Sequence, residues 1–158
     1  QLEPDPGCDF VRAIADLKLR SFIATLAVVA VLSPLSGSVL ADTTYNGKAS
    51  APKTYSLMQN KSIKLVDIRR PQEWRQTGVG AGAHRISMHR DGFVKKIDAL
   101  VGGDRSKPVA LICARGFRSA RMKAHLNTLG FTNVTNVSEG MLGSKAGPGW
   151  LNRNLPVE

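Results

Sequence analysis

The sequence predicts a single α/β domain built around a largely parallel sheet. Short β-branched apolar segments alternate with segments of helical period over about 105 residues, and glycines separate many of them. An apolar content of 42% in 158 residues suffices for one compact core and is too low for a polytopic membrane protein. The two cysteines, Cys8 and Cys113, lie far apart without ligand-spaced partners, which argues against a disulfide framework and a Cys-rich zinc site.

The first 41 residues differ in composition from the rest of the chain. Two basic residues, Lys18 and Arg20, precede an apolar run from Phe22 to Leu32, and small residues then lead to Ala41. This order is typical of a secretory signal peptide over residues 17–41 with cleavage after Ala41. The apolar run is too short to span a membrane, which takes about 20 apolar residues.

Cleavage after Ala41 would make the protein periplasmic or secreted. It would remove three of the 22 basic and four of the 12 acidic residues, so the net charge would change from +10 to +11. It would also remove Cys8 and leave Cys113 as the only thiol of the mature chain. Residues 1–16 precede the signal peptide, and we set them aside as an upstream segment of doubtful relevance.

The mature chain is expected to begin with a flexible segment over residues 42–52, because its composition is dominated by small and polar residues. The folded domain is expected over residues 53–158. Apolar patterning predicts strands at 62–68, 84–86, 108–112 and 134–137, and helices beginning at Pro71 and spanning 91–100 and 118–129. The tail, residues 138–158, is predicted to be rich in loops and anchored by Trp150, Leu151 and Leu155.

Cys113 follows the most apolar strand, residues 108–112, and precedes a predicted helix. Functional groups of open α/β sheets lie at the carboxyl ends of strands, so this position favours a chemical role for the thiol. The loop contains Arg115, Gly116 and Arg118, and Gly116 allows a tight turn without a Cβ. Loop amides, the helix dipole and the two arginines are expected to favour the thiolate and to bind an oxyanion.

These residues resemble the rhodanese-like sulfurtransferases. The segment from Leu65 to Trp74 is similar to the family's D-x-R-x-x-x-E-[WF] motif, and residues 78–86 are similar to its G-H-I-x-G-A-x-x-I stretch. Residues 113–118 read C-x-x-G-x-R, and residues 147–157 are similar to the closing G-W-x-x-A-G-x-P segment, except that Asn154 stands where glycine is usual. The resemblance covers about 100 residues, with its four motifs in the family's order.

The resemblance implies a rhodanese-like domain over residues 53–158 that transfers a sulfane sulfur through a persulfide on Cys113. The cradle for the substrate anion and the persulfide would consist of Ala114, Arg115, Gly116, Phe117 and Arg118. The family's aspartate and arginine fall on Asp67 and Arg69, and their implied role is to orient this loop. The donor would be a small anion such as thiosulfate, and the acceptor would be cyanide, a thiol or a protein.

Two alternatives stay open at this point. A non-catalytic persulfide carrier needs the same loaded cysteine, so the sequence does not separate it from an enzyme. A phosphatase or arsenate reductase on the same fold is disfavoured, because related phosphatases place five residues between cysteine and arginine. Only four residues separate Cys113 from Arg118.

The remaining features predict few further partners. His84, His89 and His125 lack the spacing of a metal-ligand set, so we expect no metal or other cofactor. The basic charge is not accompanied by basic runs with interleaved aromatic residues, so we expect no nucleic acid partner. No membrane-spanning segment is expected after cleavage. The positive charge would attract anionic donors, to an extent limited by salt.

Overall fold

The computed structural model describes residues 47–158. The upstream segment 1–16, the predicted signal peptide 17–41 and residues 42–46 lie outside the described residues. The strands are β1 (Lys48–Ala49), β2 (Lys64–Asp67), β3 (His84–Arg85), β4 (Val109–Ile112) and β5 (Val134–Val137). The helices are α1 (Ala51–Gln59), α2 (Pro71–Thr77), α3 (Phe93–Val101), α4 (Phe117–Thr128) and α5 (Gly149–Asn152). Within residues 47–158 no helix is long and apolar enough to cross a membrane.

The ordered structure begins before the predicted boundary at Lys53, so the prediction of a flexible segment over 42–52 is wrong for residues 48–52. The Ala49 carbonyl accepts a hydrogen bond from the Ser138 amide at 3.1 Å, which fixes β1 against β5. Ser50 then caps α1, since its hydroxyl accepts a hydrogen bond from the Lys53 amide at 3.4 Å. The small residues that suggested a loop form an edge strand and a helix cap.

All the strands of residues 47–158 lie in one parallel sheet, in the order β1-β5-β4-β2-β3. This arrangement confirms the predicted α/β class. β4 lies in the middle and is buried along its whole length, as its apolar sequence predicts. Because every strand runs the same way, the carboxyl ends of β2, β4 and β5 meet at one edge of the sheet.

Alternation along the strands divides the core into two layers. Val109, Leu111 and Cys113 belong to the layer that also contains the buried residues of α3 and α4, whereas Ala110 and Ile112 belong to the opposite layer with Trp150. On β2, Val66 belongs to the first layer and Leu65 to the second, so both layers continue across this strand. The thiol of Cys113 is therefore directed to the α3 and α4 side of the sheet.

A buried ion pair joins the end of β2 to helix α2. Asp67 and Arg69 are almost completely buried, and the shortest of their hydrogen bonds joins Arg69 Nη2 to Asp67 Oδ2 at 2.7 Å. The guanidinium also donates to the Thr77 hydroxyl at 2.8 Å and to the Gly78 carbonyl at 2.7 Å. Arg69 thereby fixes the C-terminal end of α2 relative to the central strands.

The variant Asp67→Ala is expected to lower the free energy of unfolding by about 3–5 kcal/mol, because it leaves a buried guanidinium without its carboxylate. The double variant Asp67→Ala/Arg69→Met removes both charges and should recover part of that loss. Chemical denaturation of both variants measures the difference. Equal stability losses would contradict an unpaired buried charge as the cause.

Candidate active site

The candidate site lies at the carboxyl edge of the sheet, where β4 passes into helix α4. Cys113 follows the last residue of β4 and is 1% exposed. The loop from Ala114 to Gly116 connects it to Phe117, the first residue of α4. The structure therefore confirms the predicted order of strand, cysteine loop and helix.

The carbonyl and amide groups of this loop have different surroundings. The carbonyls of Cys113 and Ala114 accept hydrogen bonds at 2.9 Å from the amides of Met141 and Leu142, in the segment after β5. The amides of residues 114–118, in contrast, donate to no acceptor among the residues that the structure describes. The carbonyl and the following amide of a trans peptide point in opposite directions, so the bonds to Met141 and Leu142 turn the next amides away from that segment. The loop thus offers several backbone donors beside the N-terminus of a 12-residue helix.

Gly116 meets a conformational and a steric requirement at the helix start. Its φ is 80°, in the left-handed region that glycine adopts at little cost. A Cβ at this position would lie 2.1 Å from the Ser138 carbonyl oxygen at the end of β5. The loop can approach β5 so closely only because residue 116 has no side chain.

Ser119 is the polar side chain that lies against the cysteine. Its hydroxyl is fully buried, 3.3 Å from Cys113 Sγ and 3.2 Å from the Gly116 carbonyl. A hydroxyl has one proton, so it can donate either to the sulfur or to the carbonyl at a given moment. Ser119 had no predicted role, because only the first turn of α4 brings its hydroxyl back to the sulfur.

Arg118 is held by Glu73, which lies on α2. The two side chains form a bidentate pair with distances of 2.8 Å and 2.5 Å. The hydrogen bonds from Arg118 are the main cause that lowers the pKa of Glu73 to about 2, from an ordinary value of 4.5. The pKa of Arg118 is raised, chiefly by Glu73 and to a smaller degree by the nearby Cys113. Arg118 therefore stays charged beside the sulfur and is fixed in direction.

Asp67 and Arg69 lie at the same edge of the sheet, but their side chains form no hydrogen bond with residues 113–118. That they orient the cysteine loop stays a prediction. Their side chains fix α2, which carries the Glu73 that binds Arg118. The backbone of β2 also pairs with the end of β4, next to Cys113.

The other predicted cradle side chains point outward. Ala114 is half-buried, whereas Arg115 and Phe117 are exposed, with Phe117 at 71%. Inside the loop these residues offer backbone amides. Among residues 47–158, no group of three His, Cys, Asp or Glu side chains is arranged to hold a metal ion.

Glu139 supports the segment that holds the loop carbonyls. It is 1% exposed and accepts hydrogen bonds from Arg153 at 2.6 Å and from the Gly149 amide at 3.0 Å. Burial alone would raise the pKa of Glu139, but these hydrogen bonds outweigh it and hold the pKa below its ordinary value. The next residue, Gly140, has a φ of 68°, and a Cβ there would lie 2.5 Å from the Ala114 carbonyl oxygen. Sequence reasoning missed both residues, although the Glu-Gly pair that follows β5 after one intervening serine was a usable signal.

Comparison with known proteins places this site in a family. Residues 50–146 match the family model of the rhodanese-like domain. The thiosulfate sulfurtransferase GlpE of Vibrio cholerae is 26% identical over 103 residues, which cover 65% of this chain and 86% of that protein.

Two solved structures agree with that match. The crystal structure of Rv0390 from M. tuberculosis has a TM-score of 0.55 and 25% identity, covering 73% of this chain and 98% of that one. The solution structure of the polysulfide-sulfur transferase homodimer from Wolinella succinogenes has a TM-score of 0.52 and 28% identity, covering 70% of this chain and 77% of that one.

Gly116→Ala is expected to destabilise the protein by more than Gly130→Ala, because the two glycines share a positive φ but differ in their surroundings. At Gly130 a Cβ would meet nothing within 4 Å, so only the backbone cost of about 1 kcal/mol is expected. At Gly116 the contact with Ser138 adds to that cost. Thermal unfolding of both variants provides the test, and equal losses would contradict the close approach.

The pair of Glu73 and Arg118 predicts a dependence of stability on pH. Because folding lowers the pKa of Glu73, the pair stabilises the protein above pH 4.5, and the contribution is lost as the pH falls from there toward 2. Both side chains are partly exposed, so the expected size is about 1 kcal/mol.

Denaturant unfolding between pH 6 and pH 3 measures this contribution. Glu73→Gln should be less stable than the parent protein at pH 6, and the difference should shrink toward pH 3. Asp91→Asn removes an exposed carboxylate that makes no ion pair within residues 47–158 and serves as the control. If the stability difference between Glu73→Gln and the parent protein stays constant between pH 6 and pH 3, the lowered pKa of Glu73 is contradicted.

Proposed function

The chain belongs to the rhodanese-like domain family, and from this premise we propose that it is a sulfurtransferase carrying a sulfane sulfur on Cys113. The observation that most directly supports the proposal is the set of free loop amides beside Cys113. They lie at a helix N-terminus at the carboxyl edge of the sheet, where an anionic sulfur species can accept several hydrogen bonds at once.

The reaction consists of two displacements at sulfur. In the first, the Cys113 thiolate attacks the outer sulfur of a donor such as thiosulfate. The sulfur–sulfur bond of the donor breaks, sulfite leaves with the bonding electron pair, and a persulfide remains on Cys113. In the second, a nucleophile such as cyanide attacks the outer sulfur, and the Cys113 thiolate is the leaving group. Cyanide becomes thiocyanate, and no external oxidant or reductant is needed.

The loop favours the charged species of both steps. The attacking thiolate accepts a hydrogen bond from the Ser119 hydroxyl, 3.3 Å from the sulfur. The donor anion and the outer sulfur of the persulfide accept hydrogen bonds from the amides of residues 114–118. Such donors are already oriented by the fold, so they stabilise developing negative charge without reorganisation.

Replacement of the nucleophile tests this proposal. The parent protein, incubated with thiosulfate, should gain 32 Da, the mass of one sulfur, on Cys113, and should convert cyanide to thiocyanate. Cys113→Ala should gain no mass and should lose at least about 10³-fold in turnover, because no other thiol lies in the described part of the chain. Circular dichroism establishes that the variant is folded. Undiminished turnover in Cys113→Ala would refute the mechanism.

The same experiment separates the alternatives. A carrier without catalytic activity would gain the 32 Da adduct but would not turn over with cyanide in excess. A phosphatase or arsenate reductase would act on an aryl phosphate or arsenate and would form no adduct. Persulfide formation together with steady-state turnover is the result expected of a sulfurtransferase.

A further inference from the structure

Two exposed apolar side chains flank the cysteine loop. Three large apolar side chains are exposed in the described part of the chain, namely Phe117 at 71%, Leu142 at 43% and Val157 at 46%. Phe117 is the first residue of α4, and the Leu142 amide binds the Ala114 carbonyl on the other side of the loop. Single exposed apolar residues are ordinary, but two at one reactive loop indicate a contact surface.

Positive charge continues this surface along α4. Arg121 is one helical turn after Phe117 and His125 is one turn further, so the three residues share the exposed face of the helix. Arg121 forms no ion pair with any carboxylate of residues 47–158, and the same holds for Arg115. The positive charges of Arg121 and Arg115 are therefore available to pair with carboxylates of a partner.

A groove of about 410 Å³ lies beside the same helix. It is lined by Met88, His89, Arg118, Arg121, Met122 and His125. Its lining combines two thioether side chains with basic groups, of which Arg118 is already paired with Glu73 whereas Arg121 has no carboxylate partner within residues 47–158. Met side chains adapt to differently shaped apolar groups, so the groove fits a polypeptide that carries both apolar and acidic residues.

The buried position of the sulfur determines which acceptors need this surface. Cys113 itself is 1% exposed, and a persulfide extends the reactive atom by only about 2.05 Å. A small anion such as cyanide can enter the loop without help from the surrounding surface. A protein thiol has to be held at the loop, and the apolar and basic groups around it can supply that hold.

We propose that the sulfur on Cys113 is delivered to a cysteine of an acidic protein that docks on this surface. The acceptor's apolar side chain packs on Phe117 and Leu142, and its carboxylates pair with Arg121 and Arg115. The proposal rests on the sulfurtransferase function. In the transfer, the acceptor thiolate attacks the outer sulfur, the Cys113 thiolate leaves, and the acceptor becomes the persulfide. The proton of the acceptor thiol passes to solvent.

The test uses two synthetic peptides on the full chain. The first contains one cysteine, two leucines and four glutamates, and the second has glutamine at every glutamate position. Versions with serine instead of cysteine measure binding by fluorescence anisotropy, independently of any sulfur chemistry. The cysteine versions measure the rate of sulfur transfer from protein loaded with excess thiosulfate.

The acidic peptide should bind roughly fivefold more tightly than the glutamine peptide and should accept sulfur correspondingly faster. Arg121→Glu should abolish this preference, and Leu142→Ser should weaken the binding of both peptides. Lys107→Glu makes the same change in net charge just before β4, at the opposite edge of the sheet, and should keep the preference.

Three results would overturn the docking proposal. The first is equal binding of the two peptides, and the second is an equal loss of the preference for the acidic peptide in Arg121→Glu and Lys107→Glu. The third is that the protein binds phosphatidylglycerol vesicles and does not discriminate between the peptides. The last result would indicate a membrane surface instead of a protein. Absence of the 32 Da adduct after thiosulfate treatment would refute the sulfurtransferase function. Docking is tested separately, because binding of the serine peptides needs no sulfur transfer.

Discussion

The carbonyl groups of Cys113 and Ala114 are bound by the amides of Met141 and Leu142, and the arrangement of the cysteine loop depends on these bonds. A short loop between a strand and a helix cannot direct both its carbonyls and its amides inward. With two carbonyls held by the segment after β5, the following amides face away from it and stay free of protein acceptors. The loop therefore presents backbone donors at the N-terminus of α4, in a geometry that requires glycine at position 116.

Two buried carboxylates fix segments that adjoin the cysteine loop. Glu139 holds the segment after β5 through Arg153 and the start of α5. Asp67 holds Arg69, which fixes the end of α2 and with it Glu73. Asp67 ends β2 and Glu139 lies two residues after β5, so both carboxylates lie at the sheet edge that also carries Cys113.

The sequence predicts those features that arise from neighbouring residues. The apolar run before Cys113 predicts a central strand, and the glycine two residues before Arg118 predicts the turn. Asn154, which stands in place of the usual glycine, adopts a φ of 52°, a conformation that asparagine tolerates better than most residues. What was missed depends on contacts between distant segments. Gly140 and Ser138 approach the loop only after β5 has paired with β4, and β1 becomes a strand only because β5 offers it an open edge.

The pairing of Arg118 with Glu73 limits how much of the positive charge of Arg118 is left for other groups at the cysteine loop. An arginine in a cysteine loop predicts direct attraction of an anionic substrate. Two short hydrogen bonds to a carboxylate, however, already match most of the charge of Arg118. The positive potential that remains at the loop comes from the free amides, from the N-terminal end of α4 and from Arg115, which has no carboxylate partner within residues 47–158. Arg118 thus links the first turn of α4 to α2, while the backbone amides of the loop stay free of protein acceptors within residues 47–158.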